Sequence, residues 1–345
     1  MKISLNNQAI ILLSKIGDLS PFEIKEINGG ANNRVYKLQT SKAKYLMKSY
    51  YTDKEDRRDR LSTEFGFSDF LWCEGIHCIP RPVVQDMENR NALFEYADGK
   101  KILPEGVDEN LVSEALDFWV KLNSLKNSVR AKRILKASEA YFSINGHLNN
   151  VNNRLKKLTE IEIDHPVFYT AKLFVNDTLI PYWNSVKSEA VSDSALEGIK
   201  INDILPHADR CLSSSDFGFH NAILMDSGAL KFFDFEYAGW DDPAKVVCDF
   251  FCQPEIPVSM EYFSEFSKTV SSEFSDAVFH QFRMNLLFPV YQIKWCAIIL
   301  NDFLSNGNRR REFSNNNISR EKRLENQLQK SMNYFESIVS ERAES

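Results

Sequence analysis

The stretch Ser215-Asp216-Phe217-Gly218-Phe219-His220-Asn221-Ala222-Ile223-Leu224, followed closely by Lys231-Phe232-Phe233-Asp234-Phe235-Glu236, decides how the chain is read. Between Asn221 and Asp234 lie an apolar run Ala222 to Leu224, a turn Met225-Asp226-Ser227-Gly228 and a second apolar run Ala229 to Phe233. Two short apolar runs around a polar turn with a glycine predict a β-hairpin. Such a hairpin brings Asn221 and Asp234 to neighbouring strand ends. An amide oxygen and a carboxylate so placed suit magnesium, which keeps few protein ligands and completes its shell with phosphate and water oxygens. Asp216, five positions before Asn221, then offers a carboxylate to an attacking hydroxyl, as transfer from a nucleoside triphosphate requires. Asp and Asn also cap turns with no chemistry attached; the hairpin and Asp234 taken together favour a phosphotransferase.

This run resembles the catalytic and metal-binding segments of the aminoglycoside phosphotransferase and choline kinase-like family, which shares the protein-kinase fold. The resemblance implies an α+β fold of two lobes, a small antiparallel β lobe and a larger, mainly helical one. Residues 1–98 would form the nucleotide-binding lobe and hinge, and residues 99–345 the helical lobe with catalytic loop, metal site and acceptor pocket. It also implies that Asp216 accepts or orients the hydroxyl proton and that Asn221 and Asp234 hold magnesium. The family usually has a histidine two residues before the catalytic aspartate, where this chain has Ser214. Ser214 is expected to be a structural replacement whose hydroxyl bonds the loop backbone. The competing register, His207-Ala208-Asp209, would put Ser214 at the metal-ligand position and fails for that reason.

Upstream, Phe22 to Ile27 and Arg34 to Leu38 read as strands around the polar turn Asn28-Gly29-Gly30-Ala31-Asn32-Asn33. Gly29 and Gly30 let backbone N–H groups turn toward an anion, and Asn32 or Asn33 adds side-chain donors. Lys48 follows in a strand, on the same side as Leu46 and Tyr50 by period-two alternation. A lysine among apolar neighbours requires a partner, because an unpaired buried ammonium is costly. In the kinase-like reading it meets phosphate and a glutamate of the next helix; Glu64, beside Leu61 and Phe65, is favoured over Glu55 and Glu74. Pro82 to Gln85 and Asn91 to Tyr96 complete a five-stranded antiparallel sheet carrying one helix. The resemblance makes Phe94, Glu95, Tyr96 and Ala97 the hinge whose backbone meets the adenine.

From about Asn110 the pattern turns helical: Leu111, Ala115, Phe118, Trp119 and Leu122 recur at helical spacing, and Val270 to Leu304 carries a long apolar face. Asp249, within the apolar run Val246 to Phe251, resembles the family's acid that steadies the catalytic loop, with loop N–H groups as its donors. Glu236 and Asp241 face magnesium, acceptor or solvent, and the sequence does not choose among them. Lys294 shares a helical line with Arg283 and Asn301. It either pairs structurally with acids such as Asp241 or Asp249, or faces the acceptor and favours a sugar, polyol or anionic metabolite over a cationic amine.

At 345 residues, with 42 basic and 48 acidic side chains and a net charge of −6, the chain gives no general reason to bind nucleic acid. Six cysteines without Cys-x-x-Cys pairs fit reduced thiols in the cytoplasm. No apolar run reaches membrane-spanning length. The tail places Leu324, Leu328, Met332, Phe335 and Val339 on one helical face, which docks on the chain itself or pairs with a second copy as a homodimer. The expected activity is that of an ATP- or GTP-dependent kinase using Mg2+ and transferring the γ-phosphoryl group to a hydroxyl of a small molecule, a sugar or polyol among the options. The alternative is a catalytically weak nucleotide-binding or scaffolding pseudokinase, suggested by Ser214. Transfer to a protein side chain lacks a recognisable activation segment.

Overall fold

The computed structural model describes residues 4–27, 33–52, 58–163, 165–304 and 319–344. These form two compact units, one from residues up to 138 together with 212–240, the other from 139–211 together with residues after 240.

The first unit begins with α1 (Leu5–Lys15), capped by Ser4, whose hydroxyl accepts from the Asn7 N–H. Strands β1 (Phe22–Ile27), β2 (Asn33–Thr40) and β3 (Lys44–Tyr50) precede α2 (Arg60–Cys73), and β4 (Pro82–Asp86) and β5 (Asn91–Glu95) follow it. The five strands make the expected antiparallel sheet in the order β1-β2-β3-β5-β4. Alternation divides the sheet cleanly. Tyr36, Leu38, Met47 and Leu93 pack with Ala9, Leu12 and Leu13 of α1, whereas Tyr50, Ala92 and Phe94 pack with Leu61 of α2. The sheet therefore carries two helices rather than one, since the apolar residues on its second face also need cover. Burying leucines such as Leu12, Leu38 and Leu93 stabilises this sandwich by about 2 kcal/mol each.

Next come β6 (Gly99–Lys101), α3 (Glu109–Ser124), β7 (Cys211–Ser213), β8 (Ala222–Met225), β9 (Leu230–Phe232) and β10 (Gly239–Asp241). β8 and β9 form the expected hairpin, closed by Gly228 N–H donating to Met225 O at 2.9 Å, with Gly228 at φ 87°. β6 adds to the hairpin's other edge. The buried stripe of α3 is the one read from its periodicity, and Phe118 stacks on Phe232 at 4.4 Å between ring centroids. Asn123 clamps β7 at both backbone groups of Leu212, accepting from its N–H at 2.8 Å and donating to its carbonyl at 3.1 Å. That clamp sets where the loop carrying Asp216 begins.

The second unit is helical: α4 (Ile144–Thr159), α5 (Pro166–Phe174), α6 (Ile180–Leu196), α7 (Pro243–Cys252), α8 (Phe263–Ser272), α9 (Ala277–Ile299) and α10 (Arg320–Glu344). α9 is its axis and packs against α4, α6, α7, α8 and α10. The apolar face expected over Val270 to Leu304 is broken between Ser272 and Ala277, where Asp276 caps the new helix by accepting from Phe279 N–H. α10 buries Leu324, Leu328, Ser331, Phe335 and Ile338 within its own unit, and Val339 is 41% exposed. The buried positions alternate by four and three residues, so the face takes Ile338 in place of Val339. Among the described residues, no helix is long and apolar enough to cross a membrane.

Candidate active site

The centre of the first unit is Lys48. Its position on β3, between β2 and β5, points the side chain at α2 along with Tyr50. Its ammonium lies 2.8 Å from both carboxylate oxygens of Glu64 and 2.6 Å from Asp234 Oδ1. The Tyr50 hydroxyl donates to Glu64 Oε2 at 2.7 Å. Burial works against the charge on Lys48, but the Asp234 and Glu64 carboxylates outweigh it and hold the ammonium above the usual lysine range. Burial pushes the Glu64 carboxyl up to about 7, against the pull of Lys48. Glu74, by contrast, sits at the end of α2 with Arg130 3.7 Å away, and Glu55 lies outside the described residues.

Hairpin geometry supplies the second carboxylate partner of Lys48. Phe233 N–H donates to Asn221 O at 3.0 Å, so the strand ends meet as expected, and Asp234 follows at φ 67°. A non-glycine residue in that region costs about 1–2 kcal/mol, offset here by the ion pair to Lys48. Asn221 Nδ2 donates to the Asp216 carbonyl at 2.9 Å, which turns the amide oxygen the other way. Asp216 itself is half-buried, with His220 Nε2 3.1 Å from its Oδ1.

The turn before Asp216 is held differently from expectation. Ser213 Oγ accepts from Ser215 N–H at 2.8 Å, and Ser215, at φ 69°, donates from its hydroxyl to Ser138 O. Ser214 is buried, and its neighbours make the backbone bonds expected of it. They do so because the left-handed Ser215 folds the chain back over Ser213.

Glu236 is buried. Its Oε2 accepts from Asn33 Nδ2 at 2.8 Å and lies 3.7 Å from Arg60. Burial pushes its carboxyl upward, with the Asp234 charge adding to the effect. The amide donor of Asn33, expected to meet phosphate, is thus engaged with Glu236; Gly29, Gly30 and Asn32 lie outside the described residues. Arg60, buried and 3.5 Å from the Tyr237 hydroxyl, was not anticipated. Among the described residues, the Glu64, Asp234 and Glu236 carboxylates lie within ion-pair reach of Lys48 or Arg60, and Arg58 stands over the Tyr237 ring at 5.2 Å. Asn221 and Asp234, oxygen donors at neighbouring strand ends, are of the type that suits a divalent ion.

In the segment expected to form the hinge, Glu95 N–H donates to Arg81 O at 2.8 Å and Tyr96 N–H to Lys44 O at 3.3 Å. The Phe94 side chain belongs to the core under α2, Glu95 is exposed, and Tyr96 and Ala97 are half-buried.

The remaining candidates lie in the second unit. Asp241 is buried and takes the Lys245 ammonium at 2.7 Å; Asp242 caps α7 and binds both Arg283 and His147. Lys294 donates to both oxygens of Asp249, at 2.8 and 3.0 Å, and burial pulls its ammonium down against that pairing. Trp295 Nε1 also donates to Asp249 at 2.9 Å. Asp249 is thus held by the α9 side chains Lys294 and Trp295, with the Lys245 ammonium of α7 3.4 Å away, rather than by the loop N–H groups expected, because α7 packs on α9. Asn301 lies beyond the end of α9 and off the line shared by Arg283 and Lys294.

Residues 23–252 match the model of a family described as the phosphotransferase enzyme family. Among curated proteins, none matches the sequence. Among solved structures, an ethanolamine kinase of Plasmodium vivax is similar at TM-score 0.56 and 17% identity, over 93% of this chain and 86% of that one. A choline kinase of Streptococcus pneumoniae is similar at TM-score 0.55 and 17% identity, over 96% and 99%. A spectinomycin phosphotransferase, in complex with ADP and spectinomycin, is similar at TM-score 0.56 and 13% identity, over 95% and 98%. These likenesses place the chain in the kinase-like fold.

Proposed function

The chain belongs to the phosphotransferase enzyme family, and from that membership we propose that it transfers the γ-phosphoryl group of ATP, bound with magnesium, to a hydroxyl of a small molecule. The observation that supports this most is Lys48 held between Glu64 and Asp234 at 2.6–2.8 Å, with Asn221 at the start of the same hairpin as Asp234. Lys48 binds phosphate oxygens and Glu64 keeps it aimed. Asn221 and Asp234 hold the magnesium, which when bound neutralises charge building on the phosphates. Asp216 receives the acceptor's proton as its oxygen bonds phosphorus. The backbone of Phe94 to Ala97 meets the adenine, which needs little more than a donor, an acceptor and apolar walls.

For the acceptor we favour an uncharged sugar or polyol. In the helical unit each of Asp241, Asp242 and Asp249 is matched by a base, Lys245, Arg283 and Lys294 respectively. That cluster offers no surplus carboxylate to an ammonium. The apolar face of α10 is used within its own unit, which supports docking over dimerisation as its role. All six cysteines are thiols, which suits the cytoplasm.

The test is calorimetric titration of ATP with and without magnesium, followed by ADP release against sugars, polyols, choline and ethanolamine. Magnesium-dependent binding and ADP release with a sugar or polyol are expected. No binding would overturn the reading. Binding without release for any acceptor would favour a nucleotide-binding protein that does not turn over, and release with the amines alone would overturn the acceptor class.

A further inference from the structure

We propose that His220 is the positioning residue of Asp216, fixing the carboxylate that receives the acceptor's proton; the proposal rests on the role given to Asp216 above. His220 stands in the 3₁₀ turn Phe219–Asn221, one residue before Asn221. Its Nε2 lies 3.1 Å from Asp216 Oδ1. The imidazole is 17% exposed and the carboxylate 36%, so the bond is sheltered on the ring's side while the acid stays open to a substrate. A carboxylate ready to take a proton is ionised and only accepts, which puts the hydrogen on Nε2.

The turn thus ties back to Asp216 twice, through His220 to its carboxylate and through Asn221 Nδ2 to its carbonyl at 2.9 Å. The second torsion of an aspartate is broad, and a donor on one oxygen selects one orientation of the carboxylate plane. That is the pre-organisation a proton acceptor needs before the hydroxyl arrives. Ser214 does not supply it, since the loop bonds around it belong to Ser213 and Ser215. The tie comes instead from the residue four positions after Asp216. In the step itself the acceptor oxygen bonds the γ-phosphorus, the bond from that phosphorus to ADP breaks, and the hydroxyl proton passes to Asp216. His220 keeps its own proton throughout.

The experiment compares wild type, His220→Ala, Asp216→Asn and the double variant in hydrolysis of MgATP, with water in the acceptor's place, alongside calorimetric MgATP affinity. His220→Ala is expected to lower kcat by about 10- to 100-fold while MgATP affinity stays at the wild-type value. His220→Gln, whose amide still donates, restores most of the rate, and His220→Ala adds no loss to Asp216→Asn. Should the alanine variant not fold, His220→Leu takes its place, expected to be slow where His220→Gln is fast. Wild-type turnover in His220→Ala beside an inactive Asp216→Asn would overturn the role of His220 alone, as would a full second loss in the double variant. Wild-type turnover in Asp216→Asn would overturn Asp216 as proton acceptor and His220 with it.

Discussion

At Lys48 three carboxylate oxygens lie within 2.8 Å of one ammonium, and the pair with Glu64 has a consequence in pH. Burial holds the Glu64 proton up to about 7, so the carboxylate that aims Lys48 is complete above that value and protonated below it. The kcat/KM for ATP should therefore fall as pH drops through about 7. Glu64→Gln should run roughly 10-fold or more below wild type at pH 8 and lose that acid limb; a pH–rate profile of the two proteins checks this, and an unmoved limb in Glu64→Gln would remove Glu64 from it. Ser214→Ala should keep most of the turnover, because the loop bonds belong to its neighbours; an inactive but folded variant would give Ser214 a chemical role. The need of Lys48 for a partner was legible from its apolar strand, and Glu64 from its helix face. Arg60 was not, because its partner Glu236 is distant in sequence and nothing local marks the pair. His220 carried a local signal, a histidine four positions after Asp216, and went unread beside the absent histidine at Ser214.

The β8–β9 hairpin was legible because strand, turn and strand are contiguous and Gly228 meets the turn's demand for positive φ. β6 was not, since three exposed residues pair across a long separation and carry no alternation of their own. Gly99 records that pairing. A Cβ there would overlap Ile223 Cγ2 and lie 2.7 Å from Leu224 O. Gly99→Ala should force β6 off β8 and destabilise the protein by about 1–3 kcal/mol, read as a lower melting temperature together with a higher KM for ATP, because Gly99 lies two residues after Ala97, the end of the segment proposed to meet the adenine. An unchanged melting temperature would mean that β6 can leave the hairpin without cost. The second cover of the sheet, α1, holds the apolar run Ala9 to Leu13, but which face it covers is set by Met47 and Leu93 from other strands.

Over the whole molecule, the order of elements from sheet to β8–β9 hairpin to helices follows from periodicity and turn chemistry. Pairings among buried charges do not, because they depend on how helices distant in sequence come to pack. In the helical unit Arg283 and His147 hold the Asp242 carboxyl well below the usual range against the effect of burial. Arg283→Met would leave that charge in the interior with only hydrogen bonds, from the His147 imidazole and the Ala244 N–H, to hold it. A loss of about 3–5 kcal/mol is expected, measurable by denaturant unfolding at pH 7, and a loss under 1 kcal/mol would show that His147 suffices. The central claim, phosphoryl transfer through Asp216 from magnesium-bound nucleotide, is tested most directly by measuring ADP release by wild type and Asp216→Asn side by side, with the acceptor found in the panel and with MgATP affinity recorded for both. Asp216→Asn should bind MgATP like wild type and turn over roughly 10²- to 10⁴-fold more slowly. Turnover near the wild-type rate in the folded variant would contradict it.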